Sequence, residues 1–153
     1  MNKSIISNEK EHQMNEQAHD CIEAHAKQAV AVSFVPFVSL PMVYGVCAKM
    51  IVNLDKIFGI PTAKGWDSEI VQDIIAGIIV APALMIPILG AGVASEFVKS
   101  IGKNYAKAVT AVVSMSTHAE LCDNKLVAEK VKSELNKIYK EESQERSNDK
   151  GST

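Results

Sequence analysis

The sequence predicts an all-α protein, a helical bundle built on two repeated proline-turn helical hairpins and flanked by amphipathic N-terminal and C-terminal helices. Three observations support this prediction. Apolar residues recur at helical spacing in both end regions, the middle of the chain contains two long uncharged runs, and each run carries two prolines five residues apart. Charge is dense in the first 27 and last 35 residues, so the apolar character belongs to the middle.

At 153 residues the chain is long enough for one domain with its own core. We expect a flexible N-terminus over residues 1–7, a single helical domain over 8–141 and a disordered tail over 142–153. The apolar hairpins are placed at about 28–58 and 69–104. A net charge of -2 without a basic block argues against a nucleic-acid partner, and the N-terminus lacks the apolar stretch of a secretory signal.

The first helix is predicted to begin at Asn8, which can cap it together with Glu11 three residues on. Apolar residues and one histidine then follow at helical spacing, with charged side chains on the opposite side. The predicted buried face consists of Met14, Ala18, Ile22, His25 and Ala29.

The two uncharged runs span residues 28–48 and 74–95, which are 21 and 22 residues long. Each is long enough to cross the hydrocarbon core of a bilayer, for which about 20 residues suffice. Proline interrupts a helix because it removes an amide donor and clashes with the preceding turn. The runs also match weakly at an offset of 46 residues, which favours a duplicated helix-turn-helix unit. The predicted hairpin turns are at Pro36, Pro41, Pro82 and Pro87.

Lysines flank the uncharged runs evenly, whereas two full membrane crossings would leave an excess of positive charge on the cytoplasmic side. Two hairpins that enter and return would leave both termini on one side, which we expect to be the cytoplasmic one. The alternative is a soluble bundle in which the same runs form the core. Three lysines follow the second run at four-residue steps: Lys99, Lys103 and Lys107. They are candidate contacts to anionic headgroups. The alternative is that they are ordinary solvated or snorkelling side chains.

The C-terminal third is predicted to be helical from Glu96 to about Tyr139, with increasing charge. Its apolar residues form a narrow stripe at helical spacing that would pack against the rest of the domain. The stripe consists of Val127, Val131, Leu135 and Ile138.

Three short segments carry a resemblance to a known family: FVPFVS at 34–39, MIVNLDKIFG at 50–59 and GKNYAKA at 102–108. Over roughly residues 20–112 the chain resembles the uncharacterised helical domain found C-terminal to bacterial Era-like GTPases and in YcjF-like membrane proteins. The resemblance implies a bacterial inner-membrane protein with a GTPase partner. The chain departs from the family's Pro-x-Pro-x-x-Asp turn at Phe34 and Ser39, and it contains no phosphate-binding G-x-x-x-x-G-K-[ST] motif, so it is not itself the GTPase.

Two Cys/His pairs have the spacing of metal ligands on a helix. Cys21 and His25 are four residues apart on the first helix, and His118 and Cys122 are four residues apart on the last. Two adjacent helices carrying such pairs could hold a structural zinc with four protein ligands. The alternative is that these are core and surface residues without a ligand. The odd number of cysteines, widely spaced, indicates a reducing compartment.

No arrangement typical of nucleophilic or acid-base catalysis is visible, and we predict that the protein is not an enzyme. The leading hypothesis is a membrane-associated anchor or scaffold, accessory to a GTPase as the resemblance implies. It would form homo-oligomers through small residues over 90–94. Two alternatives remain: a membrane-active effector or pore-former, or its immunity protein; and a soluble bundle with a structural metal site.

Overall fold

The computed structural model describes residues 2–33, 39–60 and 91–151, and all regular secondary structure within these ranges is α-helical. The all-α prediction is therefore confirmed. The described helices are α1 (Asn2–Ser33), α2 (Ser39–Ile57), α3 (Ala91–Met115), α4 (His118–Leu121) and α5 (Asn124–Lys150).

Helix α1 buries the face that its apolar spacing predicts. Ala18, Ile22, His25 and Ala29 are all buried, and Met14 packs against the core. The helix begins at Asn2 and not at Asn8, so residues 2–7 are helical and Asn8 does not cap the N-terminus. All side chains at residues 7–13 are exposed, so no buried apolar position continues the helical pattern toward Asn2.

Helix α2 ends in a Schellman motif built around Gly59, whose φ of 75° is accessible to glycine without strain. The Gly59 amide donates to the Lys56 carbonyl over 3.2 Å, and the Ile60 amide donates to the Asp55 carbonyl over 2.9 Å. Ile60 is buried, so the turn also closes the apolar end of the helix.

Helix α3 is the centre of the bundle and packs against α1, α2 and α5. It runs antiparallel to α1, because Lys99 pairs with Glu23 while Ser114 shares a groove with Asn15. It runs parallel to α2, because Gly102 lies beside Met50 and Tyr105 pairs with Asp55. One face is buried from Ala94 to Val112, and it consists of Ala94, Val98, Ile101, Tyr105, Ala108, Val109 and Val112.

The chain breaks its helical course twice between α3 and α5, which our sequence analysis did not predict. Thr117 caps α4 in a capping box, in which the Thr117 amide donates to Glu120 Oε2 over 2.8 Å and the Glu120 amide donates to Thr117 Oγ1 over 3.3 Å. Asp123 then caps α5 by accepting from the amides of Lys125 and Leu126 at 3.1 and 3.2 Å. These caps reverse the chain, so α5 packs back along α3.

Helix α5 buries the predicted stripe: Val127, Val131 and Leu135 are buried, and Ile138 is half-buried. The helix continues to Lys150, whereas we predicted disorder from residue 142. Almost every side chain past Tyr139 is exposed, so this part is a solvated extension of the bundle.

Removing the cap of α5 tests the local reversal. Asp123→Ala is expected to lower the free energy of unfolding by about 1 kcal/mol, because two amides at the helix start lose their acceptor. Urea denaturation measures the effect, with Lys125→Ala as the control because that exposed side chain does not cap the helix. Equal stability of the two variants would contradict the role of the cap.

Several predicted features lie outside the described residues. These are Pro36 of the first predicted turn, both prolines of the second turn, and most of the uncharged run 74–95. Pro41 lies in the first turn of α2, where a missing amide is tolerated. Within the described ranges, no helix combines the length and the hydropathy required to cross a membrane.

Candidate functional site

A groove of about 570 Å³ runs along the surface between α1 and α3. Asn15, His19 and Glu23 form one edge at four-residue steps, and α3 contributes the other edge. The floor is made mainly of small or apolar side chains. It consists of Ala18, Ile22, Phe58, Ala106 and Ala111.

The three lysines predicted to contact headgroups differ in their surroundings. Lys99 is 28% exposed and pairs with Glu23 and Glu96 at 3.6 and 3.9 Å. Lys103 and Lys107 are exposed at the edge of the groove, and neither forms an ion pair with another described residue. Two of the three predicted residues therefore share one surface feature, while Lys99 connects α3 to α1.

Hydroxyl groups along the α3 edge are already occupied by their own helix. Thr110 Oγ1 donates to the Ala106 carbonyl over 2.7 Å, and Ser114 Oγ donates to the Ala111 carbonyl over 2.8 Å. The single proton of each hydroxyl is therefore already donated to a backbone oxygen. A ligand in the groove would therefore contact cations and apolar surface, and few free hydroxyl donors.

The first Cys/His pair lies where α1 meets α2. The His25 ring is buried, its Nδ1 lies 2.7 Å from the Cys21 carbonyl oxygen, and its Nε2 lies 3.5 Å from Asn53 Nδ2. Because a carbonyl accepts and an amide nitrogen donates, this network assigns the proton to Nδ1. His25 thus acts as a hydrogen-bonded core residue between two helices.

The same geometry argues against Cys21 as a nucleophile. Its Sγ lies 3.6 Å from His25 Nδ1, but that nitrogen carries the proton donated to the carbonyl and cannot also accept one from the thiol. Burial raises the pKa of the Cys21 thiol, which disfavours the reactive thiolate.

The second pair, His118 and Cys122, is exposed at α4, with 4.0 Å between His118 Nε2 and Cys122 Sγ. Helix α4 follows the end of α3 that lies beside Asn15, whereas Cys21 and His25 lie further along α1. The described ranges contain no group of three or more His, Cys, Asp or Glu side chains placed to hold a metal ion. The two pairs therefore do not form one four-ligand site in this arrangement, and zinc binding stays a prediction.

A buried carboxylic acid between α2 and α3 was missed by the sequence analysis. Asp55 is 4% exposed and accepts a hydrogen bond of 2.7 Å from the hydroxyl of Tyr105, which is 1% exposed. Burial raises the pKa of Asp55 to about 7, against the lowering effect of this hydrogen bond. The available signal was the helical spacing of Cys47, Ile51, Asp55 and Phe58, which places the acid on the apolar face.

A second polar contact joins α3 to α5. Asn104 is buried, and its amide approaches the Tyr139 hydroxyl closely enough to lower the pKa of Tyr139, although burial raises that pKa more strongly. The geometry falls short of a hydrogen bond, because Asn104 Nδ2 has no hydrogen-bond partner among the described residues. Nearby, burial raises the pKa of the Cys47 thiol to about 12, so this cysteine behaves as a small core residue.

Comparison with known proteins finds no match: no family model, no curated protein and no solved structure is significantly similar to this chain. The class of protein that the described structure defines is an all-α helical bundle. The resemblance to the helical domain of Era-like GTPases and YcjF-like proteins stays a prediction.

Proposed function

We propose that this chain is a non-enzymatic anchor or scaffold that associates with an anionic membrane surface. The observation that carries the proposal is the placement of Lys103 and Lys107, which are exposed one helical turn apart on α3 without an ion pair to a described residue. Each lysine near an anionic leaflet contributes about 1 kcal/mol of attraction.

Apolar contact must supply the rest of the membrane affinity, because two lysines alone bind a surface weakly. Helix α3 begins at Ala91, inside the uncharged run 74–95, so the lysines follow directly on apolar sequence. In this proposal the uncharged run enters the lipid and α3 carries its cations at the headgroup level.

The sequence supports three further parts of the proposal. The resemblance named above supports a location at the bacterial cytoplasmic membrane and a GTPase partner. The even distribution of lysines favours both termini on the cytoplasmic side, and the small residues over 90–94 favour self-association. Protease digestion of intact spheroplasts tests the topology, since both termini should be protected until the membrane is permeabilised. Cleavage of either terminus in intact spheroplasts would contradict it.

Flotation with vesicles tests the headgroup contacts. The full chain is expected to float with phosphatidylglycerol vesicles, and Lys103→Gln with Lys107→Gln is expected to weaken binding by about tenfold or more. Lys125→Gln with Lys140→Gln is the matched control, because it removes the same charge from exposed sites on α5. We expect this control to bind as the unchanged protein does.

Other outcomes would replace the proposal. A chain that carbonate releases from membranes, and that floats with no vesicle, would contradict membrane association altogether. Leakage of vesicle contents, or toxicity on expression, would favour the membrane-active effector. Rescue of cells from a neighbouring gene's toxicity would favour the immunity protein.

A further inference from the structure

We propose that the groove between α1 and α3 binds the acyl chain of a single-chain anionic lipid, whose headgroup lies against Lys103 and Lys107. This inference deepens the proposed membrane function and rests on it, because the same two lysines are used. It differs in that one lipid molecule would occupy a defined site on the protein.

The dimensions of the groove suit a chain of methylenes. The edge from Lys103 to Ser114 spans twelve residues, whose eleven steps correspond to about 16 Å of helix. The volume of about 570 Å³ lies in the range of small-molecule sites. The three alanines in its floor leave a shallow channel there, which accommodates a thin, flexible chain.

The polarity of the groove suits the same ligand. The hydroxyls of Thr110 and Ser114 donate to their own helix. A methylene chain that covers them therefore leaves both donors hydrogen-bonded. Ala18 and Ile22 are buried in the floor beneath, and Phe58 adds an aromatic side chain.

The charges along the edges favour an anion. Glu23 is the carboxylate of the groove lining, and Lys99 pairs with it at 3.6 Å. Lys103 and Lys107 remain as a pair of cations one turn apart, where a carboxylate or phosphate headgroup can contact both. An acidic amphipathic helix shares this charge, but its large side chains fit a shallow channel less well than an acyl chain does.

The experiment titrates purified full-length protein with octanoate, decanoate and laurate below their micelle concentrations, using displacement of a fluorescent fatty acid. Affinity should rise by about fourfold for each added pair of methylenes, which corresponds to burial of about half of their surface. Lys103→Gln with Lys107→Gln should weaken laurate binding by about tenfold. Dodecanol, which lacks the charge, should bind the unchanged protein as weakly as laurate binds this variant.

Filling the groove provides the second arm. Ala106→Leu with Ala111→Leu should abolish laurate binding, because both half-buried alanines line the channel. Ala119→Leu is the matched control, an exposed alanine on α4 outside the groove. Circular dichroism checks folding, and if the filled variant unfolds, the exposed lysine pair still decides the result.

Four results overturn the inference: undiminished laurate binding to the filled variant, absence of laurate binding to the unchanged protein, dodecanol binding as tightly as laurate, or displacement of the probe by an acidic helical peptide but not by laurate. Vesicle flotation separates these from failure of the proposed function. Protein that floats with vesicles but does not bind laurate retains the membrane function and loses the groove. Protein that binds laurate but does not float retains the lipid-binding groove and loses the membrane function.

Discussion

Raising the pH from about 4 to about 8 is expected to destabilise this protein, relative to an Asp55→Asn variant, by on the order of 4 kcal/mol. The pKa of Asp55 is about 7 in the folded protein and 3.8 in its ordinary state. Below pH 3.8 both states hold the proton and the stability is fully present. As the pH rises to about 7, the unfolded chain ionises while the folded chain stays protonated, so stability falls, and above this it levels off.

Urea denaturation at several pH values measures this effect. Asparagine keeps the shape of the side chain and removes its titration, so the difference between the two proteins isolates Asp55 from the other carboxylates. Parallel pH profiles for the two proteins would contradict a buried, titrating acid.

Tyr105→Phe gives a second readout of the same pair. The Tyr105 hydroxyl stabilises the ionised carboxylate, so its removal raises the pKa of Asp55 further. We expect the decline in stability to continue past pH 7 in this variant. A role of the hydroxyl in packing alone would lower stability equally at every pH.

The fold class and the buried faces could be predicted because they depend on local periodicity. The predicted apolar positions of α1 and α5 are the ones that the structure buries or packs against the core. The reversal at α4 depends on caps instead. Thr117 with Glu120 fits the capping-box pattern, but the residues on both sides have helical spacing, so one continuous helix was predicted. Helix boundaries are therefore better found by searching for cap residues within a periodic stretch.

The candidate site was predictable only in part, because it depends on which helices become neighbours. Lysine spacing on α3 identified Lys103 and Lys107, yet the groove beside them requires α1 to lie antiparallel to α3. Likewise, Cys21 and His25 have the spacing of metal ligands within α1, but the α2 side chain next to His25 is the amide of Asn53. Spacing on one helix shows which side chains share a face, whereas the tertiary arrangement decides what that face meets.

Close packing at one glycine supports this arrangement, and its replacement is the second large effect that we expect. A Cβ atom at Gly102 would lie 2.7 Å from Ile22 Cγ1 and 3.0 Å from Met50 Sδ, so α1, α2 and α3 meet at this residue. Gly102→Ala is expected to lower the free energy of unfolding by about 1 to 2 kcal/mol, because overpacking outweighs the better helix propensity of alanine. Gly102→Val adds two methyl groups beyond that of alanine and should cost about 3 kcal/mol or more.

Gly45 provides the matched control, because it also lies within a helix but has no atom within 4 Å of an added Cβ. Gly45→Ala should raise the free energy of unfolding by up to about 1 kcal/mol through helix propensity alone. The opposite signs at the two glycines separate packing from propensity, and thermal denaturation of the two variants measures both. Stabilisation by both substitutions would show that the three helices are not so closely packed. Since Gly102 also opens the GKNYAKA segment, its close packing sets the position of Lys103 and Lys107 relative to α1, and with it the shape of the groove.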